Sequence, residues 1–217
     1  MPKPIEVAIV DDHTVLREGL RKLFVEDQKK RFEVIGDFGN GSDFLDYLKK
    51  NSCDVVVMDI HMPIRGGEST VELIYKKFPN ISVVILTMNT RNYMMEFMVK
   101  LGVYAYLPKE SGSEEIKNAV LSARDKKMFF NRLLTAEKYK LIKNGRKEPS
   151  GLTLREQFIT SLVASGLNTA QIAEKINLSP ATVSKHREHI MKKTQCSNIA
   201  ELVTFAYQHQ ILELNPR

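Results

Sequence analysis

The chain has 217 residues, of which 43% are hydrophobic and 27% are charged, a composition typical of a globular protein with one large domain or two of ordinary size. No apolar run approaches the roughly 20 residues that cross a bilayer. The N-terminus has no signal-peptide pattern, and Cys53 and Cys196 lie too far apart in sequence to suggest a disulfide framework or a zinc site. We therefore expect a cytoplasmic protein. The net charge of +6 is concentrated in residues 124–148, a basic segment that attracts nucleic acid or is simply the solvated face of a helix.

The first half of the chain alternates β-rich runs with amphipathic helical segments. Five runs predict strands, at Ile5–Val10, Phe32–Phe38, Val55–Met58, Val83–Leu86 and Ala105–Leu107. Each run is followed by apolar residues at helical spacing, and Thr14 is the candidate N-cap of the first helix. Five such repeats predict an α/β fold, a doubly wound parallel sheet with helices on both faces. In such a sheet the functional crevice lies at the carboxyl ends of the strands.

Past these repeats the strand pattern stops. Apolar residues at helical spacing suggest a short linker helix, and they are Leu133, Leu134, Tyr139, Leu141 and Ile142. We expect this helix to stop at Asn144-Gly145 and the chain to break at Pro149-Ser150-Gly151. These signals divide the chain into an α/β domain at 1–124, a linker at 125–149 and a small all-α domain at 150–217.

Four short helices are predicted in the last domain, at about 154–165, 169–176, 180–194 and 198–209. Thr153 and Glu156 form a capping box before the first of them, and Gly166 ends it. Asn177 ends the second, and Ser179-Pro180 places a cap and an N1 proline before the third. Two helices joined this tightly are typical of a helix-turn-helix, whose second helix can lie in the major groove of DNA.

Polar residues fall at the ends of the predicted strands. Asp11 and Asp12 end the first strand, Asp59 ends the third, Thr87 ends the fourth and Lys109 follows the fifth. In a parallel sheet these ends share one edge, where three carboxylates repel one another unless a cation lies between them. Oxygen ligands with room for water suit Mg²⁺.

One of these carboxylates could then act as a nucleophile towards a phosphoryl group, with the metal and Lys109 neutralising charge and Thr87 donating a hydrogen bond to the acyl phosphate. A single strand-end aspartate is more often a cap or turn residue, so the interpretation depends on the set of five. His61 alone does not indicate a metal ligand, because no second His or Cys lies near it in the sequence.

Four motifs lie at these strand ends: Val-Asp-Asp at 10–12, Met-Asp-Ile-His-Met-Pro at 58–63 with Gly66-Gly67, Leu-Thr-Met at 86–88 and Tyr-Leu-Pro-Lys at 106–109. With these motifs the sequence resembles, at about residues 4–123, the receiver domain of two-component response regulators. The resemblance implies a flavodoxin-like fold with Asp59 as the phosphoacceptor.

The same resemblance implies roles for the other residues at this edge. Asp12 and Asp59 would bind Mg²⁺ through their carboxylates, Asp11 directly or through water, and His61 only through its backbone carbonyl. The implied switch pair is Thr87 with Tyr106, and the implied phosphate-contacting lysine is Lys109.

Residues 152–206 resemble a LuxR-type helix-turn-helix, so the whole chain is similar to the NarL/FixJ class of regulators. The residues that carry this second resemblance are Leu152, Thr153, Arg155, Glu156, Gly166, Ile172, Ala173, Leu178, Ser179, Thr182, Val183, His186, Arg187 and Lys193. It implies a transcription factor that is phosphorylated by a sensor histidine kinase and binds DNA as a homodimer, at an inverted repeat.

The polar face of the helix at 180–194 is predicted to meet DNA, whereas Val183, His186 and Ile190 pack inward. Of the polar residues, Glu188 lies near phosphates or accepts a hydrogen bond from a cytosine amine. The predicted DNA-binding residues are Thr182, Ser184, Lys185, Arg187, Glu188, Lys192 and Lys193. Lys185 and Arg187 are the leading candidates for contact, and Lys192 and Lys193 are assigned to phosphates near the helix end.

Two alternatives compete with a phosphorylation-switched DNA-binding protein that is not an enzyme. An aspartate-nucleophile phosphatase also uses a strand-end aspartate, but it generally needs a second carboxylate two residues on, where this chain has His61. A receiver that dimerises without phosphorylation would normally lack one of the five residues, and all five are present.

Overall fold

The computed structural model describes residues 3–62, 64, 66–88, 92–143, 151–176, 178–209 and 211. The chain forms two compact units, of which the first holds a β-sheet and the second holds the C-terminal helices. Among the described residues, every helix is too short or too polar to cross a lipid bilayer.

Residues 5–124 form alternating strands and helices, and all of the strands lie in the first unit. The strands are β1 (Ile5–Val10), β2 (Phe32–Phe38), β3 (Val55–Met58), β4 (Ser82–Thr87) and β5 (Ala105–Pro108). The helices between and after them are α1 (Thr14–Val25), α2 (Gly41–Tyr47), α3 (Gly67–Lys77), α4 (Asn92–Leu101) and α5 (Ser113–Arg124). The strands pair in parallel in the order β2-β1-β3-β4-β5, which confirms the predicted doubly wound fold.

The centre of the sheet is buried on both faces. Every residue of β3, β4 and β5 is buried, and so is every residue of β1 except Glu6. These strands consist mainly of Val, Ile and Leu because helices cover both faces of a parallel sheet, which leaves no face for polar side chains. Within these four strands the polar residues are limited to Glu6, Ser82, Thr87 and Tyr106, and Asp11, Asp59 and Lys109 follow just beyond the strand ends.

The outer edge of β5 is covered by the chain that follows α5. The amide of Phe129 donates to the carbonyl of Tyr104 at 2.8 Å, and the Asn131 side-chain amide donates to the carbonyl of Tyr106 at 2.8 Å. The Asn131 Oδ1 accepts from the amides of Leu133 and Leu134, which form a turn. These bonds satisfy backbone groups that an edge strand would otherwise leave exposed.

The prediction that Thr14 caps α1 is wrong by one residue. The helix begins at Thr14, and its N-cap is His13, whose side chain makes no capping hydrogen bond. The imidazole of His13 contacts the carboxylates of Asp11 and Asp12 instead, and the Thr14 hydroxyl accepts a hydrogen bond from Arg17. These contacts, all within three residues along the chain, use the side chains of His13 and Thr14 in place of the cap that the sequence suggested.

The remaining helices are α6 (Ala136–Lys143), α7 (Leu154–Ala164), α8 (Thr169–Lys175), α9 (Pro180–Thr194) and α10 (Ile199–Gln208). The predicted linker helix is α6, although Leu133 and Leu134 precede it. The predicted stop at Asn144-Gly145 and the first two residues of the break at 149–151 lie outside the described residues, as does Asn177.

The predicted helix caps of the C-terminal unit are present. Thr153 and Glu156 form a capping box at the start of α7, and the Ser179 hydroxyl accepts from the amide of Thr182 at the start of α9. Gly166 follows α7 with a φ of +89°, a left-handed conformation that glycine adopts without steric cost. A second capping box, of Asn168 and Gln171, starts α8 and was not predicted.

Candidate functional site

The carboxyl edge of the sheet brings three aspartates together. Asp11 and Asp12 follow β1, Asp59 follows β3, and one ligand atom from each of them and from His13 lie within 4.8 Å of one another. Asp11 and Asp59 are almost completely buried, whereas Asp12 is exposed. This proximity arises because the amide of Asp59 donates to the carbonyl of Val10 at 2.9 Å, which places the ends of the two strands side by side.

Lys109 supplies the positive charge of this cluster. Its Nζ lies 2.7 Å from Asp11 Oδ2 and 2.7 Å from Asp59 Oδ2, and its side chain is 8% exposed. Burial lowers the pKa of Lys109, but the hydrogen bonds to Asp11 and Asp59 outweigh that effect and hold the pKa above its ordinary value. The lysine therefore stays charged between two carboxylates. Its backbone amide donates to the carbonyl of Thr87 at 3.0 Å.

His13 joins the cluster and was not predicted to do so. Its Nδ1 lies 3.0 Å from Asp11 Oδ1, 2.9 Å from Asp12 Oδ1 and 3.3 Å from Lys109 Nζ. The sequence feature that could have indicated this contact is the position of His13 directly after the aspartate pair. In the described part of the chain the potential ligand side chains of this group are those of Asp11, Asp12, His13 and Asp59, so the side chain of His61 lies outside it. The role predicted for His61 concerns its backbone carbonyl and stays a prediction.

Thr87 and Tyr106 lie on the neighbouring strands and are both fully buried. Thr87 ends β4 opposite Pro108, and Tyr106 is paired with Ile85 in the same ladder. The ring of Tyr106 is withdrawn from solvent in this conformation.

The C-terminal unit presents a helix pair of helix-turn-helix form, α8 and α9. The amide of Leu178 donates to the carbonyl of Ala173 at 2.9 Å in the turn between them. Val183 and Ile190 on α9 are fully buried and His186 is half-buried, as the sequence predicted for the inward face. On the opposite face the exposed members of the predicted DNA-binding set are Thr182, Ser184, Lys185, Glu188, Lys192 and Lys193.

Two of the predicted DNA-binding residues already bind other parts of this unit. The Arg187 guanidinium donates to the Thr169 hydroxyl at 2.9 Å, which ties α9 to the start of α8. The Lys193 Nζ lies 2.7 Å from Oε2 of Glu156, the buried carboxylate of the α7 capping box. Burial raises the pKa of Glu156, but the hydrogen bonds from Lys193 and from the backbone of Thr153 outweigh it and lower the pKa below its ordinary value.

A parallel sheet of this order, with an acidic cluster and a lysine at its carboxyl edge and a helix-turn-helix in the second unit, defines a signal-receiving DNA-binding regulator. Comparison with known families agrees with this class. Residues 7–121 match the response regulator receiver domain, and residues 150–206 match the LuxR family of bacterial regulatory proteins.

Known proteins are similar to this chain over nearly its whole length. The transcriptional regulatory protein DesR of Bacillus subtilis is 33% identical over 92% of this chain and 95% of its own length. The response regulator UvrY of Escherichia coli is 27% identical over 94% of each chain. The solved structure of RcsB from Salmonella enterica serovar Typhimurium, bound to promoter rprA with the phosphomimetic BeF3-, is 25% identical with a TM-score of 0.67, and the match covers 93% of this chain and 98% of that one.

The chain belongs to the two-component response regulators of the NarL/FixJ class, in which a receiver domain is joined to a LuxR-type DNA-binding domain. Members of this family are transcription regulators and not enzymes.

Proposed function

We propose that Asp59 is the phosphoacceptor of this response regulator and that its phosphorylation, by a sensor histidine kinase, controls binding of the C-terminal domain to DNA. The observation that carries the proposal is the position of Lys109, whose ammonium bridges Asp59 and Asp11 at 2.7 Å each. A phosphoryl group bound to Asp59 would bring further negative charge next to an ammonium that is already in place.

Each of these residues has a defined role in the proposed phosphoryl transfer. An oxygen of Asp59 attacks phosphorus and forms a new P–O bond, while the bond between phosphorus and the donor's leaving group breaks, and that group leaves with the electron pair. Lys109 is placed to bind a phosphoryl oxygen in place of a carboxylate. The hydroxyl of Thr87 would donate to another oxygen of the acyl phosphate.

The same cluster fits Mg²⁺. The carboxylate oxygens of Asp11, Asp12 and Asp59 are hard ligands that converge within 4.8 Å, and Asp12 is exposed, which leaves space for water ligands. Bound there, Mg²⁺ would neutralise charge on the transferring phosphoryl oxygens. We propose that Asp12 and Asp59 ligate it through their carboxylates, Asp11 directly or through water, and His61 through its backbone carbonyl.

The switch that follows is proposed to involve Thr87 and Tyr106. Movement of the Thr87 hydroxyl towards the acyl phosphate would let the Tyr106 ring repack on the face of β4 and β5. Phosphorylation would thereby shift an equilibrium towards a homodimer competent to bind DNA.

For the output domain, we propose that α9 enters the major groove as one half of a two-fold dimer on an inverted repeat. RcsB, to which the chain is similar, has been solved bound to a promoter. The exposed side chains at Thr182, Ser184, Lys185, Glu188 and Lys192 would face the DNA. To contact DNA, Arg187 would have to break its hydrogen bond to Thr169, and Lys193 its ion pair with Glu156.

The proposed domain limits are 1–124 for the receiver, 125–149 for the linker and 150–217 for the DNA-binding domain. The matches to residues 7–121 and 150–206 support them. A regulator that binds the bacterial chromosome acts in the cytoplasm, which is the compartment we propose.

The experiment that tests the proposal uses the full chain with acetyl phosphate and Mg²⁺. We expect one added phosphoryl group by intact mass, together with an increase in dimer by sedimentation and a higher affinity for a selected DNA site. Asp59→Asn should lose all three responses. Asp54→Asn is the matched control, because Asp54 lies before β3 rather than after it and should leave the responses unchanged. Stoichiometric labelling of Asp59→Asn would overturn the assignment.

A further inference from the structure

Arg17 lies behind the acidic cluster and binds its backbone. From α1, one terminal nitrogen of Arg17 donates to the main-chain carbonyl of Asp11 at 2.7 Å. The other donates to the Thr14 hydroxyl at 3.2 Å, and Nε lies 3.5 Å from Asp37 Oδ1 on β2. The side chain is only 16% exposed, so α1, the end of β1 and β2 are joined by one buried guanidinium.

The carbonyl that Arg17 binds belongs to the peptide between Asp11 and Asp12. A peptide unit is planar, so the direction of its carbonyl fixes the direction in which Asp12 leaves the strand. The peptide on the other side of Asp11 is also held, because the Asp11 amide donates to the carbonyl of Phe38 at 3.0 Å. Both peptide planes around Asp11 are therefore restrained, one by β2 and one by Arg17.

Asp37 keeps the guanidinium in place. It is bound by Arg21, which donates from Nε at 3.0 Å and from a terminal nitrogen, and it is paired with Arg17. The hydrogen bond from Arg21 and, to a smaller extent, the nearby positive charge of Arg17 lower the pKa of Asp37 despite its partial burial. Arg21 thus shares Asp37 with Arg17, but the described contacts of Arg21 do not include the backbone of Asp11.

We infer that Arg17 is a positioning residue for the metal site: its hydrogen bond to the Asp11 carbonyl orients the Asp11–Asp12 peptide so that both carboxylates converge with Asp59. The inference rests on the proposed Mg²⁺-dependent phosphorylation of Asp59. Loss of Arg17 should therefore weaken the affinity for Mg²⁺ but should not slow phosphoryl transfer once Mg²⁺ is bound. The reason is that the described contact of Arg17 with the cluster is made to the backbone of Asp11.

The test compares Arg17→Met, Arg17→Lys and Arg21→Met in the full chain. Calorimetric titration with MgCl2 gives the Kd for Mg²⁺, and labelling with acetyl phosphate at increasing Mg²⁺ gives the half-saturating concentration and the maximal rate. For Arg17→Met we expect both the Kd and the half-saturating concentration to rise about tenfold, since outer-shell partners of metal ligands have effects of this order. The maximal rate should stay near that of the wild type.

The two other variants separate the backbone contact from a general role in stability. Arg17→Lys keeps one donor for the Asp11 carbonyl and should restore most of the affinity, while Arg21→Met removes only the second partner of Asp37 and should leave the Kd unchanged. A wild-type Kd in Arg17→Met overturns the inference, and so does an equal loss in Arg21→Met, which would assign the effect to Asp37. If Arg17→Met does not fold, Arg17→Gln takes its place, because its side chain is two bonds shorter than that of Arg17 and loses the contact with the Asp11 carbonyl. A Kd above that of Arg21→Met then supports the inference, and an equal Kd overturns it. Absence of both Mg²⁺ binding and labelling in the wild type would instead contradict the proposed function.

Discussion

At the scale of single residues, Asp12 differs from the other two aspartates of the cluster. About a third of its side chain is exposed, and it contacts His13, whereas Asp11 and Asp59 are buried and share Lys109. The ammonium of Lys109 therefore pairs with two of the three carboxylates. The third carboxylate adds repulsion that a bound cation would relieve.

Asp12→Ala should therefore have opposite effects with and without metal. Without Mg²⁺, removal of the repulsion should raise the free energy of unfolding by about 0.5–2 kcal/mol, the range seen when surface charges are improved. With Mg²⁺, the variant should lose both the metal-induced rise in melting temperature and the labelling of Asp59. Asp46→Ala serves as the control, because Asp46 lies on α2, pairs with Lys49 and should respond to Mg²⁺ as the wild type does. If the labelling and the melting temperature of Asp12→Ala depend on Mg²⁺ as those of the wild type do, the proposed role of Asp12 as a metal ligand is wrong.

Lys192 and Lys193 are neighbours in sequence with different expected effects. Lys193→Met leaves the buried Glu156 without its ion pair and should destabilise the C-terminal domain by about 1 kcal/mol. Lys192→Met should leave stability unchanged, but it should weaken binding to every DNA sequence and lower the slope of log affinity against log salt by about one. Thermal melting and DNA titration at several salt concentrations distinguish the two. Equal salt slopes for both variants would contradict the assignment of Lys193 to Glu156.

The lowered pKa of Glu156 adds a dependence on pH to the Lys193 experiment. A carboxylate with a lower pKa in the folded state stabilises the fold fully above its ordinary value of 4.5, and this contribution is lost as the pH falls through the lower folded value. The difference in stability between wild type and Lys193→Met should accordingly be largest at neutral pH and should shrink below about pH 4.

Local signals of the sequence predicted many of these residues correctly. Thr153 with Glu156 and Ser179 with Pro180 are caps whose partners lie within three residues, so the local pattern contains the whole interaction. Thr14 failed as a cap because it is already the first residue of the helix, with His13 as N-cap, and its hydroxyl accepts a hydrogen bond from Arg17. The ion pair of Lys193 with Glu156 joins residues 37 positions apart, and no local pattern indicates it.

At the scale of elements, the start of α3 is packed directly against the end of β3. Gly67 is the first residue of α3, and its amide donates to the carbonyl of Ile60 at 2.8 Å. A Cβ at this position would lie 2.4 Å from the carbonyl oxygen of Asp59 and 2.7 Å from the Cα of Ile60. The start of α3 therefore lies closer to the backbone of the proposed phosphoacceptor than a residue with a Cβ atom at position 67 would allow.

Gly67→Ala should displace the backbone at Asp59. We expect a loss of about 1–3 kcal/mol in the free energy of unfolding, the range for overpacked sites, together with slower labelling by acetyl phosphate. Gly19→Ala on α1 is the matched control, because no atom lies within 4 Å of its added Cβ, and it should be neutral or stabilising by up to about 1 kcal/mol. If Gly67→Ala melts and labels as Gly19→Ala does, α3 does not hold Asp59 in place.

At the scale of the whole molecule, the fold places the proposed switch at the same sheet edge as the phosphoacceptor. Thr87 ends the strand beside β3, and the carbonyl of Tyr106 on β5 is bound by Asn131, in the first part of the proposed linker. A change at the edge of the sheet can therefore alter the strand that contacts the start of the linker.

Thr87→Ala tests whether the hydroxyl transmits the signal. The variant should accept a phosphoryl group to the wild-type level, because Asp59, Lys109 and the metal ligands are unchanged. Its gains in dimerisation and DNA affinity should be reduced, and an allosteric coupling of this kind amounts to about 5–150-fold in affinity. Sedimentation and DNA titration before and after phosphorylation measure both gains, and Thr87→Ser, which keeps the hydroxyl, should retain them. Gains equal to those of the wild type in Thr87→Ala would refute the coupling.

The sequence by itself determined the α/β fold, the helical second domain and the strand ends at which acidic residues meet, because strand and helix periodicity and strand-end chemistry are local properties. Only the tertiary structure decided how those residues are held. His13 over the aspartate pair, Arg17 on the Asp11 carbonyl, Asn131 on the Tyr106 carbonyl and Lys193 on Glu156 are side-chain contacts made across turns or between elements. Such contacts depend on how the folded elements pack against one another, and the spacing of residues along the chain does not predict that packing.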